Sequence, residues 1–295
     1  MTKATFAPFA ALEIPFSSIP TADTPEYASF ISHYITSAFS FIRATPEWKK
    51  TKSFKSPVGG PVRCKVLPSQ VKKLGKKAWH LRESSHGPDC GLTYDDFRRY
   101  IRFQHSIYEK EYIEDVVLTE CAAKVKEDEA EIWHNSYKLP IVTSDRDFVQ
   151  MLLTIDLPPH PQPYSQDHEQ ATLAWIRDPS RTLIPPTCSN EPEYRSLVVL
   201  QFPVSHPDHP QTAPKVRAVY SSFEAIYEGP APKQSQYTDA KPEVVNWKMA
   251  VQSDTRGRIP TMMQEMAMPG EIAHDVPAFI GWAKKYKVDH PPADE

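Results

Sequence analysis

From Val116 the chain alternates. Val117, Thr119, Cys121, Ala123 and Val125 interleave with Leu118, Glu120, Ala122 and Lys124, a polar turn spans 126–129, and strand-like runs recur at 130–138, 147–155, 194–204 and 215–227. The clearest places Val245, Trp247, Met249 and Val251 on one face against Asn246, Lys248, Ala250 and Gln252 on the other. Period-two alternation marks half-buried strands. Strand runs without strand–helix–strand alternation point to an α+β protein with an antiparallel sheet. Such a sheet can leave one face for a helix to cover.

Helical spacing flanks these strands. Thr24 reads as an N-cap, with Pro25 at the first helical position and Glu26 in the first turn. Tyr27, Phe30, Ile31, Tyr34, Ile35, Ala38, Phe39 and Ile42 then form an aromatic stripe, stopped at Thr45 and Pro46. The stripe fits core packing, with a partner-binding face as the alternative. Short strands are expected at 62–67 and 77–86. Thr93 and Asp96 make a capping box for a second helix expected to reach about Ile113. Residues 156–192 read as a long loop, ordered only at 171–176. A final helix begins near Ile259 and Pro260, and Pro269 and Pro277 should kink or divide it.

Composition removes several classes of function. A net charge of −3 leaves no basic footprint for nucleic acid. The lysine run Lys72, Lys73, Lys76 and Lys77 reads as a solvated face, with contact to an anionic membrane surface as the alternative. Thirty prolines against nine glycines require stiff connections and argue against phosphate-cradling loops. Cys64, Cys90, Cys121 and Cys188 form no C-x-x-C pair, so neither a disulfide framework nor a structural zinc site is indicated. No run approaches the ~20 apolar residues of a membrane span and the first twenty residues are no secretory signal, so a cytoplasmic protein is expected.

Two segments carry a family resemblance. Pro140 to Phe148, containing Arg146 and Asp147, is similar to the proline-to-Arg-Asp-aromatic segment that leads into a central strand of START domains, with one extra residue. Trp247 to Pro260, through Asp254 and Gly257, resembles the strand, turn and proline that precede their terminal helix, although Thr255 and Arg256 stand where Pro-Gly is common. Trp79-x-x-Arg82-x-Ser84, Tyr94-x-x-Phe97, His105-x-x-x-Glu109, Ala130 to Trp133 and Arg146 to Phe148 look like features of a fungal START-like family of unassigned function. The likeness spans roughly residues 60–285. It implies a helix-grip fold, in which a curved antiparallel sheet wraps a long C-terminal helix around an apolar cavity. It also implies a lipid or other hydrophobic small molecule as ligand, without a cofactor.

Each candidate site residue has two readings. Trp79, Trp133, Trp247 and Met249 are expected to line the cavity, together with Met262 and Met266 from the methionine cluster of the terminal helix; methionine also fills ordinary core gaps. Arg82 or Arg146 would be the polar anchor, though Arg146 also suits an ion pair with an acidic residue of a neighbouring strand. His105 and Glu109 stand i, i+4 on one helix, which fits either acid–base work or a surface pair. Ser84, Ser85 and His86 lack a nucleophile elbow. His206 and His209 lie in a proline-stiffened loop with no further ligands at useful spacing, so no metal site is expected. Glu120, Glu129, Glu131 and Asp145 are acidic positions whose convergence is open.

The expected architecture is residues 1–50 as an N-terminal helical extension, 51–288 as a START-like ligand-binding domain and 289–295 as a disordered tail. The expected function is binding, with intracellular transfer, of a hydrophobic small molecule or lipid. The alternatives are a cofactor-free cyclase, pericyclase or isomerase acting on a polyketide or terpenoid in secondary metabolism, and a protein-interaction module built on the first helix. Transient membrane-surface contact belongs to the carrier reading. Ligand identity and oligomeric state stay open.

Overall fold

The computed structural model describes residues 10–57, 60–67, 77–139, 144–185, 193–230 and 244–291. The early lead before residue 10, Lys72 to Lys76, Pro140 to Thr143, Cys188 and the last four residues therefore lie outside the described residues.

Nine strands form one continuous antiparallel path. They are β2 (Lys49–Phe54), β3 (Val62–Leu67), β4 (Trp79–His86), β5 (Val116–Lys126), β6 (Ala130–Tyr137), β7 (Arg146–His160), β8 (Tyr194–Ser205), β10 (Val219–Gly229) and β11 (Val244–Asp254). Across the sheet they run β2-β3-β4-β11-β10-β8-β7-β6-β5, while short β1 (Ile14–Pro15) pairs parallel with β8 and β9 (Val216–Arg217) parallel with β7. β11 thus pairs with β4, more than 150 positions earlier in sequence, with Met249 opposite Arg82.

Alternation sorts the side chains onto two faces. Leu81, Val149, Met151, Leu153, Val198, Leu200, Phe202, Phe223 and Ala250 point to one face, where α1 (Pro25–Ala44) and α4 (Gln166–Arg177) pack on them. Leu152, Leu197, Val199, Ile226, Val245 and Trp247 point to the other. There α2 (Tyr94–Arg102), α3 (His105–Tyr112) and α5 (Thr261–Asp289) complete the second core, α5 through Ala273, Val276, Phe279, Ile280 and Ala283. The α+β helix-grip arrangement is therefore present, with α5 as the gripped helix.

Several expectations change. The aromatic stripe of α1 is core: Ile31, Ile35, Ala38 and Phe39 are fully buried. The apolar stripe is thus covered, whereas the interaction-module alternative needed it exposed. Thr24 caps it as expected, its Oγ1 accepting from Tyr27 N–H at 3.1 Å. The second helix does not reach Ile113 unbroken. Gln104 adopts φ +50, in the left-handed region, and splits it into α2 and α3. The expected long loop holds the end of β7 and all of α4, whose Ser165 cap accepts from His168 N–H at 3.1 Å. Pro269 and Pro277 do not divide α5, which is helical throughout. The Pro269 carbonyl accepts a contact from Cys64 Sγ at 3.5 Å.

A cavity between the sheet and the terminal helix

Between the sheet and α5 lies a cavity of about 230 Å³. Its walls follow from cross-strand register. Met249 faces Glu224, Ser253 faces Tyr220, and Val251 and Gln201 flank Ser222 on neighbouring strands. Tyr137 faces Arg146 from β6, with Phe148 two residues further along β7. Glu109 enters from α3, Ile113 from just past its end, and Met268, Ile272 and Asp275 from α5. Two hollows of about 470 Å³ each open beside β2 and β3, lined by groups such as Lys50, Lys52, Arg63, Lys65, Glu83 and Lys248. Both are lined largely by charged and polar side chains. The smaller cavity has the mainly apolar walls that a hydrophobic guest requires.

Arg146 lines the cavity and ties two distant segments together. Its Nε donates to Thr255 O at 2.6 Å and Nη2 to Arg256 O at 3.2 Å, while Nη1 donates to Ser144 O. The expected acidic partner on a neighbouring strand is replaced by main-chain carbonyls of the turn that launches α5. Gly257 in that turn has φ +70, and a Cβ there would stand 3.1 Å from Arg146 Nη2. The start of α5 is held further by Glu265, which accepts from Ala78 N–H and lies 2.9 Å from His80 Nε2, and by Lys77 donating to Gln264 at 2.8 Å.

Carboxylates set the electrostatics. Glu224 accepts from Trp247 Nε1 at 2.6 Å and lies 3.6 Å from Arg82 Nη2. Glu109 is held above the usual carboxylate range by burial, against the opposing pull of His105. Asp275 is pushed up to about 7, chiefly by burial, with Glu109, Glu224 and Glu271 adding to the rise and Arg82 opposing it. Burial likewise holds Tyr137 and Tyr220 far above the ordinary phenol value. At neutral pH the cavity thus presents a carboxyl group divided between acid and carboxylate beside phenols that stay protonated. This is an arrangement that can give or take a proton.

The expected site residues divide into three groups. Arg146 and Met249 line the cavity. His105 stands one layer behind: its Nδ1 lies 2.7 Å from Ile101 O, and its Nε2 3.1 Å from Gln201 Nε2 and 3.9 Å from Glu109, both of which line the cavity. The surface-pair alternative for His105 and Glu109 therefore gives way, because His105 is buried and Glu109 faces inward. Arg82 stacks on Trp247 at 3.8 Å and reaches the cavity only through Glu224.

The rest are placed elsewhere. Trp247 is core packing between Arg82, Phe97 and Phe279. Trp133 is buried on the α5 face, its Nε1 donating to Glu131, and is no part of the lining. Trp79 points to the opposite face and meets Phe41 edge-on at 4.7 Å. Met262 and Met266, 71% and 67% exposed, stand in solvent on the first turns of α5, and Met268 lines the cavity instead. Sequence reasoning missed Asp275, Tyr137, Tyr220 and Glu224. Helical spacing from Ile272 would have placed Asp275 on the sheet-facing side of α5. Serine 84 lies 2.9 Å from His86 Nε2, and burial holds that imidazole at about 4. On the face opposite the cavity, Glu120, His134 and His209 form a group able to hold a metal ion.

Two solved structures share this fold. Human StAR-related lipid transfer protein 5 superimposes with a TM-score of 0.58 at 15% identity, covering 89% of this chain and 99% of that one. The crystal structure of human STARD10 gives 0.56 at 16% identity, covering 86% and 82%. At such identity the likeness establishes a START-like fold. No curated protein matches the sequence. None of the described helices is long and apolar enough to cross a membrane. A protein-family model described as "Protein of unknown function (DUF3074)" matches residues 79–283, most of the chain and all of the cavity-forming elements from β4 to α5, and the chain belongs to that family.

Proposed function

We propose that this protein binds a mainly apolar small molecule, lipid-like or polycyclic, in the cavity between the sheet and α5. The observation that carries the reading is the cavity itself, where Ile113, Leu139, Phe148, Met249, Val251, Met268 and Ile272 surround a few inward polar groups. The START-like fold supports it, since one structural neighbour is named a lipid transfer protein. A volume of about 230 Å³ exceeds the ~150 Å³ apolar cavity that accommodates benzene. It falls short of the ~300–1,000 Å³ typical of drug-sized ligand sites. The pocket is open on one side, so a compact ring system or a single chain fills it and a larger guest would extend from its mouth. Glu109 and Asp275 select a guest that carries a hydroxyl or amine donor. Movement of that guest between cytosolic sites is the carrier form of this reading.

Native mass spectrometry of the protein after exposure to a cell lipid extract tests it. A discrete adduct of one guest per chain is expected. Empty protein across all lipid classes would defeat the proposal.

Asp275 favours a second reading, a cofactor-free cyclase or isomerase. A cavity that folds an apolar polyketide or terpenoid against one proton donor needs a carboxyl group poised near neutrality, and Asp275 is pushed up to about 7. Guest recovered chemically altered from the wild type but unaltered from Asp275→Asn would establish catalysis. Guest unaltered by both leaves binding as the whole activity.

A further inference from the structure

On the face of the sheet opposite the cavity, three strands and a loop assemble a second site. Glu120 of β5 and His134 of β6 are direct cross-strand partners. The connection after β8 brings His209 over them, its ring 5.1 Å from that of His134. One ligand atom from each of the three lies within 4.8 Å of the others, and His134 Nδ1 is 3.8 Å from Glu120 Oε2. Ligands at Zn–N and Zn–O lengths of ~2.0–2.2 Å stand roughly 3.4 Å apart around a tetrahedral ion. Closure therefore asks for about an ångström of movement, from an exposed glutamate and a loop histidine.

The surroundings are those of a built site rather than a chance meeting of surface groups. Both ring nitrogens of His134 are buried, and neither makes a hydrogen bond of ordinary geometry within the described structure. Buried ring nitrogens are costly to leave unsatisfied, and Nδ1, 3.8 Å from Glu120, calls for a partner. His134 Nε2 stands 3.4 Å from Asp147 Oδ2, and Asp147 Oδ1 is itself buried without a partner. A metal-bound histidine characteristically turns its second ring N–H to such a carboxylate, which fixes the ring and leaves the other nitrogen for the ion.

Arg217 completes the frame. Its Nη2 donates to Asp147 Oδ2 and to His209 O, both at 2.8 Å, and its Nε to Asp147 at 3.1 Å. One guanidinium thus ties the carboxylate behind His134 to the main chain of the third ligand.

We propose that Glu120, His134 and His209 bind one divalent transition-metal ion of the zinc class, with a fourth position left open to water or an external ligand. Two histidines and one carboxylate form a donor set that suits zinc and its borderline neighbours over magnesium or calcium. The ion joins the β5–β6 edge of the sheet to the connection after β8. It does so independently of what the cavity holds.

Untagged, chelator-stripped protein titrated with zinc chloride by calorimetry is the test. One site per chain in the micromolar range or tighter is expected, and cobalt substitution should give visible bands of four- or five-coordinate ion without thiolate charge transfer. His209→Gln, in a loop, should weaken zinc binding at least 100-fold while leaving the metal-free melting temperature unchanged. Asp147→Asn should weaken it about 10–100-fold. No binding, or several millimolar sites that His209→Gln leaves intact (an adventitious ion only), would overturn the proposal.

Discussion

Asp275 sits where desolvation by α5 and the sheet outweighs the attraction of Arg82, and its carboxyl is pushed up from 3.8 to about 7. The folded state then holds a proton that the unfolded chain releases between those values. Stability attributable to this group is full below about pH 4, falls as pH rises to about 7, and is level above. Asp275→Asn removes the slope. The variant should gain on the wild type across that window, by roughly 1–3 kcal/mol at pH 8. Urea unfolding at pH 4, 6 and 8 reads this directly, and parallel wild-type and variant profiles would refute it. Gly257 makes a second residue-scale case. At φ +70, with Arg146 Nη2 3.1 Å from its virtual Cβ, Gly257→Ala should cost about 1–2 kcal/mol in thermal unfolding. A neutral substitution there would mean that the Arg146 clamp is slack.

At the scale of elements, the helix that opens the fold and the helix that closes it contribute differently. Phe41 of α1 is fully buried against Trp48, Trp79 and Phe223. Phe41→Ala should cost about 3–5 kcal/mol. The paired change Met262→Ser with Met266→Ser on α5 should stay within about 0.5 kcal/mol, because both side chains stand in solvent. Equal losses for the two, measured by chemical denaturation, would contradict the burial pattern. The same contrast shows what the sequence made legible. Thr24, Pro25 and a three-four repeat define α1 almost to the residue, because caps and amphipathic spacing are local. Met262 and Met266 share the spacing of the buried positions in α5, yet in the first turns it is Gln264 and Glu265 that meet Lys77 and His80, and both methionines stand in solvent. Spacing gives a face; only the partner element decides how much of it is covered. Gln104 shows the reverse case, where one left-handed residue breaks a helix whose flanking pattern is continuous.

For the molecule as a whole, the alternation of β5 and β11 foretold a two-faced sheet, and the segments around Arg146 and Gly257 foretold that a terminal helix follows the last strand. The physical tie between those segments, a guanidinium on carbonyls 109 and 110 residues away, was not legible, because main-chain acceptors leave no mark in a sequence. The cavity's polar set was hidden for a related reason. Glu109, Tyr137, Tyr220, Glu224 and Asp275 come from four elements and meet only through sheet register and the packing of α3 and α5 on the sheet. The same holds for Glu120, His134 and His209 on the opposite face, where distance along the chain made His209 look ligand-poor.

The claim that the hollow beneath α5 receives an apolar guest is tested most directly by titrating a neutral lipophilic fluorophore such as Nile red into the wild type and into Met249→Trp. The larger side chain fills the cavity from its sheet wall. The account predicts saturable one-to-one binding to the wild type and at least a tenfold loss in the variant, with melting temperatures within a few degrees of each other. Equal binding by both proteins, or none by the wild type, would contradict it.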